Sequence, residues 1–341
     1  MKDPRKAGSD GGEIDQPEHE RTFKQPSTIH NAEGSVRRVG FELEFSGLSL
    51  DQTLDAIEVA LGGERQPVSV AECQLEVDGL GPFQVELDWR YLKLKAAETD
   101  PESDWIALLS QAAALLVPME VVCPPIEMTR LDALNPMVDS LRHSGAMGTQ
   151  ESLLAAYGVH INPEIPSPDA ETLFAYLRAF ALLQWWLVES QGVDPTRKAS
   201  PYVDLYPESY VAKLLSRQTP SLECILEDYL EHNATRNRSL DMLPLLAELD
   251  ADRVRRAVDD PRIKARPTFH YRLPDCHIER PDWSLADPWN GWWVVEELAQ
   301  RPEDLDALGA AFMEAARPLL GVNRTAWVEY MDRWLKDRGL A

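Results

Sequence analysis

The chain has 341 residues, of which 44% are hydrophobic, so it is long enough for one large domain or two ordinary ones with a substantial core. Its 57 Asp and Glu residues outnumber its 34 Lys and Arg residues and give a formal net charge of -23 at pH 7. Such an acidic surface repels phosphate backbones, and we therefore expect no nucleic-acid partner.

The spacing of apolar residues predicts strands separated by helices. In chain order, strands are predicted at residues 39–45, 68–77, 82–87, 118–123, 157–162 and 266–273. Helices are predicted at residues 50–61, 131–143, 168–190, 208–215, 222–231, 240–249, 292–300, 305–319 and 325–336. Because hairpin signals and helical insertions replace a regular βαβ alternation, the pattern indicates an α+β fold on an antiparallel sheet.

Targeting signals and cysteine spacing indicate the compartment in which the chain works. The first residues, MKDPRKAGSDGG, lack the apolar run of a signal peptide. The longest apolar stretch, residues 173–188, is interrupted by Arg178 and Gln184 and is short for a bilayer span. The four cysteines form no CxxC pair, which favours reduced structural thiols over a zinc site or a disulfide framework. We therefore expect a cytoplasmic protein without a membrane segment.

The predicted strands share one polar face, whose residues are sorted by chemical type. The early strands contribute only carboxylates to it, at Glu42, Glu44, Glu86, Asp88 and Glu120. The later strands contribute His160, Asn162, Arg266, Thr268, His270 and Arg272. Clustered carboxylates bind Mg²⁺, and the forked guanidinium groups of arginine bind phosphate oxygens. The sorted face therefore predicts a metal–nucleotide site, and an ordinary solvated sheet face is the alternative.

Several stretches of the chain, taken in order, resemble the amidoligases, relatives of glutamine synthetase and of glutamate–cysteine ligase. The stretches are VGFELEF at 39–45, EVVCPPI at 120–126, GVHIN at 158–162, NATRNRSLDMLP at 233–244 and KARPTFHYR at 264–272. The resemblance implies a curved antiparallel half-barrel with helices on its convex side and ATP and divalent metals on its concave face. It also implies ATP-dependent amide formation, in which a carboxylate becomes an acyl phosphate and an amine then displaces phosphate.

The domain organisation follows from composition and from the extent of the resemblance. Residues 1–34 are rich in Gly, Pro, Glu and Lys, which predicts a disordered or extended arm. The resemblance assigns a catalytic domain to residues 35–300. We expect residues 301–341 to form helices that pack on the same domain.

The resemblance also implies roles for individual residues. The implied metal ligands are Glu42, Glu44, Glu120, Asp88 and His160. The implied ATP-binding residues are His160, Asn162, Arg266 and Arg272. The implied catalytic residues are Arg266, Arg272 and Arg236. Arg266 and Arg272 would bind phosphate and nucleotide, whereas Arg236 and Arg238 are candidates for holding a substrate carboxylate or an acyl phosphate. The implied cofactors are ATP and Mg²⁺, with Mn²⁺ as the alternative ion.

At one position the sequence departs from the family pattern, and this departure leaves functions other than that of a ligase open. His270 stands where glutamine synthetase has a Glu, two residues before the late arginine, which leaves open whether one metal site is complete. A phosphotransferase of the guanidino-kinase type is one alternative, and a nucleotide-binding or interaction protein without turnover is another. The expected partners are small-molecule or peptide carboxylates and amines. The sequence identifies neither substrate and does not decide whether the chain forms a homo-oligomer.

Overall fold

A computed structural model describes residues 22–87, 118–149, 157–198, 203–317 and 320–341. Within these residues, seven strands form one antiparallel sheet that does not close on itself. The strands are β1 (Arg38–Phe45), β2 (Glu64–Ser69), β3 (Glu72–Val77), β4 (Gly81–Leu87), β5 (Met119–Val122), β6 (Ile126–Glu127) and β7 (Val159–Pro163). This mixed architecture on an antiparallel sheet confirms the broad fold class predicted from the sequence.

Helices lie between the sheet strands and follow the last of them. A 3₁₀ helix covers Met128–Leu134. The α-helices are α1 (Leu50–Leu61), α2 (Asn135–His143), α3 (Ala170–Ser190), α4 (Pro195–Lys198), α5 (Glu208–Leu215), α6 (Leu222–Asn233), α7 (Leu243–Leu249), α8 (Ala251–Ala257), α9 (Ala286–Ala299), α10 (Pro302–Ala315) and α11 (Arg324–Lys336). In the described part of the chain, no helix has the length and apolar character needed to cross a bilayer.

The sheet has one apolar face and one polar face. On β1, Phe41, Leu43 and Phe45 are fully buried, because alternate side chains of a strand point to opposite faces. Glu42 and Glu44 point to the other face and stay partly exposed. Helix α1 packs on β3, β4 and α2. The carboxylates of β1 are thereby kept away from the apolar core.

Strand pairing lines up the acidic residues of the polar face. The strand order is β2-β3-β4-β5-β1-β6, and β7 pairs with β1 as well. One row across β3, β4, β5 and β1 consists of Glu72, Glu86, Glu120 and Glu44. In the adjacent row, β7 places His160 opposite Glu42. The pairing therefore brings together residues that are far apart in the sequence.

The segment predicted as a last strand, residues 266–273, is extended but forms no continuous ladder. Tyr271 and Ile161 of β7 exchange backbone hydrogen bonds of 2.8 and 2.9 Å. The pairing stays limited to isolated bridges. Pro267 and Pro274 lack amide donors, which accounts for the interruptions. The segment still lies alongside β7, so its alternate side chains reach the polar face.

A second predicted strand, over residues 68–77, is wrong as a single element. A turn at Val70 and Ala71 divides this stretch between β2 and β3. Neither residue is of the Gly, Pro, Asn or Asp type that usually marks a turn, so the sequence carries no signal of the reversal. Val70 at the tip is 92% exposed.

Residues 22–27 lie along α9 and form hydrogen bonds with it. The indole nitrogens of Trp289 and Trp293 donate to the backbone oxygens of Lys24 and Gln25, at 2.8 and 2.9 Å. Phe23 is buried in the core. Helices α10 and α11 pack on α3. The tryptophans of α9 thus serve packing within the chain.

A buried ion pair joins the start of β1 to α9. The guanidinium of Arg37 and the carboxylate of Glu296 form two hydrogen bonds of 2.9 Å each, and both side chains are almost fully buried. Burial alone would lower the pKa of Arg37, but the charge and hydrogen bonds of Glu296 raise it above its usual range. Arg37 therefore stays charged in the core.

Candidate functional site

The centre of the candidate site is the pair formed by Glu42 on β1 and His160 on β7. Oε2 of Glu42 lies 2.8 Å from Nδ1 of His160. Oε1 of the same carboxylate accepts a hydrogen bond of 2.9 Å from Asn162. The Oδ1 atom of Asn162 accepts in turn from Arg266, also at 2.9 Å, and Nε of Arg266 donates to Thr268 at 3.1 Å. A carboxylate, an imidazole, an amide and a guanidinium group thus form one connected network.

Glu44 lies beside this network, one position along the same face of β1. Its Oε2 accepts a hydrogen bond of 2.9 Å from the backbone nitrogen of Gly158. Its Oε1 lies 3.8 Å from Nε2 of His160. Potential ligand atoms of Glu44, Glu120 and His160 all lie within 4.8 Å of one another. Two carboxylates and one imidazole therefore meet closely enough to hold a metal ion.

His270 completes a second group of potential ligands. Ligand atoms of Glu42, His160 and His270 lie within 4.8 Å of one another, and the two imidazole rings pack edge-on with centroids 5.2 Å apart. His270 is only 4% exposed, and its Nε2 has no hydrogen-bond partner among the described residues. Its Nδ1 lies 3.6 Å from Oδ2 of the fully buried Asp241. The position that departs from the family pattern thus lies next to the predicted metal ligands.

The predicted arginines fall into two kinds. Arg266 joins the network directly, as described above, whereas Arg272 is buried and donates to the backbone oxygen of Arg236. In the described structure, the Nε atoms of Arg272 and Arg236 are buried without a hydrogen-bond partner. Arg238 instead donates to the backbone oxygens of Leu205 and His232, at 2.9 and 3.0 Å. The Nε atom of Arg238 is likewise buried without a hydrogen-bond partner among the described residues, so Arg272, Arg236 and Arg238 differ in their contacts and not in the satisfaction of this donor.

The electrostatics favour protonation states that bind metal at neutral pH. Burial alone would raise the pKa of Glu42, but the hydrogen bond and charge of His160, with His270 and Arg266, hold it well below its usual range. Burial lowers the pKa of His270 to about 4, against the opposing effect of Asp241. Glu42 is therefore a carboxylate and His270 a neutral imidazole with a lone pair available at pH 7.

The structure brings most of the predicted site residues together. Glu42, Glu44, Glu120, His160, Asn162 and Arg266 lie in one cluster on the polar face. Arg272 and Arg236 are joined to each other at its border, and Arg238 points into a different environment. Asp88 lies outside the described residues. Its strand neighbour Glu86 lies in the same row as Glu120.

Sequence patterns alone miss two residues that belong to the surroundings of the site. Asp241 lies inside the stretch 233–244 and inside the helix predicted at residues 240–249, but α7 begins only at Leu243, and the contact with His270 is what reveals Asp241. Arg197 on α4 is buried, and its pKa is lowered by burial while Glu44 and Asp275 oppose that effect. A Cβ atom on Gly158 would lie only 2.3 Å from a guanidinium nitrogen of Arg197, so a larger residue there would have to displace that guanidinium group. No sequence signal identifies Arg197.

Comparison with known proteins gives one family match. A family model described as "Putative amidoligase enzyme" matches residues 35–294. No curated protein and no solved structure matches the chain. The matched range includes every residue of the cluster described above, from Glu42 on β1 to Arg272 beside β7.

Proposed function

This chain belongs to the family described as putative amidoligase enzymes, and we propose that it is an ATP-dependent carboxylate–amine ligase that forms an amide bond through an acyl phosphate. One observation carries the proposal: carboxylates, imidazoles and a guanidinium group meet on one sheet face within the matched range. The open antiparallel sheet with this polar face also supports a half-barrel of the glutamine-synthetase type as the underlying fold.

The acidic side of the site fits a magnesium ion. Proteins commonly hold Mg²⁺ through one or two carboxylates, and water and substrate phosphates complete its coordination. Glu44 and Glu120 lie directly opposite each other on β1 and β5 and supply such a pair. A bound Mg²⁺ or Mn²⁺ would neutralise charge on the phosphate oxygens during transfer. Two carboxylates that face each other across strands repel, and a bound cation would reduce that repulsion.

The basic side of the site fits the phosphate groups of a nucleotide and an acyl phosphate. Asn162 and Thr268 hold the guanidinium of Arg266, so its orientation is fixed before substrate binds. Arg272 and Arg236 supply further donors that are not satisfied within the described structure. Charge-assisted hydrogen bonds from arginine to phosphate are stronger than those between neutral groups. These arginines would therefore bind and orient the transferred group and stabilise its charge.

Phosphoryl transfer needs positioned charges but no nucleophilic side chain. The thiol nearest to the site, Cys123, is buried, and burial together with the charge of Glu42 raises its pKa well above the usual range. A thiolate at this position is therefore disfavoured. This agrees with a mechanism in which the substrate carboxylate, and then the amine, act as the nucleophiles.

The alternative of a binding protein without turnover depends on His270 replacing an acid. In the structure, His270 lies with Glu42 and His160 and keeps three potential ligand atoms together. The replacement therefore changes the chemistry of the ligand group without removing a ligand. This placement favours the ligase over an inactive nucleotide-binding protein.

The proposal is tested by phosphate release from ATP–Mg²⁺ with pools of carboxylates and amines. We expect amine-dependent release and an amide product detectable by mass spectrometry. The double change Glu42→Gln/Glu44→Gln should abolish both signals. Glu72→Gln is the matched control, because Glu72 lies on the same polar face, with two strands between its own strand β3 and β1.

Three other results would redirect the proposal. A stable phosphorylated product without an amide would indicate a phosphotransferase. Thermal stabilisation by ATP–Mg²⁺ without phosphate release from any pool would indicate a binding protein. If ATP neither binds nor is hydrolysed, the polar face is an ordinary solvated surface and the proposal is overturned.

A further inference from the structure

We propose that Glu42, His160 and His270 form a metal site that selects an imidazole-binding transition ion, of the Fe²⁺ to Zn²⁺ series, over Mg²⁺. The proposed ligase needs only a magnesium ion at Glu44 and Glu120, so this inference goes beyond the proposed function. It rests on ligand identity and geometry and does not require turnover.

The composition of the ligand group decides which ion it prefers. Mg²⁺ favours oxygen ligands, whereas imidazole nitrogen suits iron, nickel, copper and zinc ions. Here two of the three ligands are imidazoles, and their atoms lie within 4.8 Å of one carboxylate. An acid at position 270 would give an oxygen-rich group. The histidine therefore shifts the preference away from magnesium.

His270 is set up as a ligand by its surroundings. It is almost completely buried, and its Nε2 lacks a hydrogen-bond partner within the described residues. Buried polar atoms without partners are uncommon in native proteins and call for an explanation. Because Nδ1 faces Asp241 at 3.6 Å, Nε2 is the nitrogen left for an ion. A metal ion beside Glu42 would satisfy it.

His160 can supply its one lone pair to this group. A neutral imidazole has a single nitrogen able to bind metal, while the other carries a proton. Its Nδ1 lies 2.8 Å from Glu42, where an ion would replace the proton that now joins the two groups. Its Nε2 would then carry the proton and face Glu44, which lies 3.8 Å away.

Each imidazole would then have a carboxylate behind it. Glu44 lies behind His160, and Asp241 lies behind His270. Metal-binding histidines usually donate their second ring N–H to such a group, which fixes the ring and makes it a better ligand. The arrangement therefore matches a metal centre in its supporting residues as well as in its ligands.

The first test measures Co²⁺ and Zn²⁺ binding to the full chain after chelator treatment, with no ATP present. We expect a bound ion that millimolar Mg²⁺ does not displace. In His270→Glu, the affinity for Co²⁺ should fall by at least about tenfold, because even residues behind a metal ligand cause losses of this size when they are changed. Mg²⁺ should compete with Co²⁺ better in this variant than in the unaltered protein. His277→Gln is the control, because His277 lies in the same chain segment and outside the ligand group.

A second measurement on the unaltered protein covers the case in which the variant does not fold. The chain has seven histidines, so their ring nitrogen signals can be followed by NMR during Zn²⁺ addition. We expect the rings of His160 and His270 to change and that of His277 to stay unchanged. Displacement of Co²⁺ by equal concentrations of Mg²⁺, or unchanged rings at 160 and 270, would overturn the inference. Because metal binding is measured without ATP, its result does not depend on whether the ligase assay detects activity.

Discussion

Two clusters of buried charge lie on this fold, and they are built in opposite ways. In the cluster around Arg37 and Glu296, each carboxylate oxygen accepts two hydrogen bonds. Oε1 accepts from Arg37 and from the indole of Trp292, and Oε2 accepts from Arg37 and from the hydroxyl of Tyr176. The remaining guanidinium donors reach the backbone oxygens of Glu164 and Thr28. The carboxylate and the guanidinium group of this cluster are thus hydrogen-bonded to other protein groups.

The cluster around Glu42 leaves several polar atoms unsatisfied. In the described part of the structure, Nε2 of His270, Oδ2 of Asp241 and Nε of Arg272 are buried without hydrogen-bond partners. Burying such atoms costs free energy unless a partner is supplied. The cluster around Arg37 and Glu296 is closed by protein groups, whereas in the cluster around Glu42 the ligand proposed above would supply the missing partners.

The largest expected effect is on the cluster around Arg37 and Glu296. Glu296→Gln leaves the buried charge of Arg37 without its counter-charge, and breaking a buried ion pair in this way costs about 3–5 kcal/mol of unfolding free energy. Urea denaturation followed by circular dichroism measures it. Glu297→Gln on the same helix is the control, because Glu297 accepts only an exposed hydrogen bond from Ser27. Equal losses in both variants would show that the pair is not a structural element.

The second effect is on function with little change in folding. Glu42→Gln should reduce phosphate release by roughly a hundredfold, since it removes a charge that the metal and the imidazole use, or about 2.7 kcal/mol in transition-state free energy. The metal-free protein should lose some stability, because the fold holds the pKa of Glu42 below its usual range, but less than Glu296→Gln loses, because glutamine still offers an oxygen to Asn162. Rates and urea midpoints are compared in the same preparation. A large loss of stability would place Glu42 with the structural cluster.

The third prediction concerns metal addition. A divalent ion at a hundred times its dissociation constant should stabilise the folded chain by about 2.7 kcal/mol, and a chelator should reverse the effect. The rise in melting temperature on addition of the ion should persist in Glu296→Gln and disappear in Glu42→Gln. A shift lost in both variants would mean that the two clusters are not independent.

The smallest expected effect is at Asp241, which contacts the site through His270. Asp241→Asn keeps an acceptor for the backbone nitrogen of Leu243 but weakens the support of the imidazole. Affinity for Co²⁺ should fall by about 10- to 100-fold, as is typical for residues behind a ligand. Asp252→Asn serves as the control, because Asp252 is exposed and pairs with the exposed Arg255. An unchanged affinity would remove Asp241 from the site.

The sequence predicts the polar face because strand alternation is a local property. On β1 it separates Glu42 and Glu44 from Phe41, Leu43 and Phe45, as the structure has them. The same alternation of side chains places His270 on one face with Arg266 and Arg272. The broad fold class is predictable for the same reason, since hairpin signals and strand periodicity are read within short windows.

Other features depend on contacts that no local pattern encodes. The meeting of Glu44 with Glu120 depends on which strands pair and in which register, and β5 follows β1 only after long intervening segments. Asp241 reaches His270 from the residues just before α7, where the sequence predicts that the helix has already begun. The turn at Val70 and Ala71 lacks turn-forming residues, so the sequence predicts one strand where the structure has parts of two strands, β2 and β3. Tertiary pairing decides these points, and a single sequence does not display it.

The ion pair between Arg37 and Glu296 also bears on how the chain is made and where it can be cut. Its two members stand near opposite ends of the sequence, so a growing polypeptide presents Arg37 long before its partner emerges. The family match ends at residue 294, two positions short of Glu296. A truncated chain that follows this boundary would keep the arginine and lose the carboxylate. The minimal folding unit of this protein therefore extends past the limit that family resemblance alone suggests.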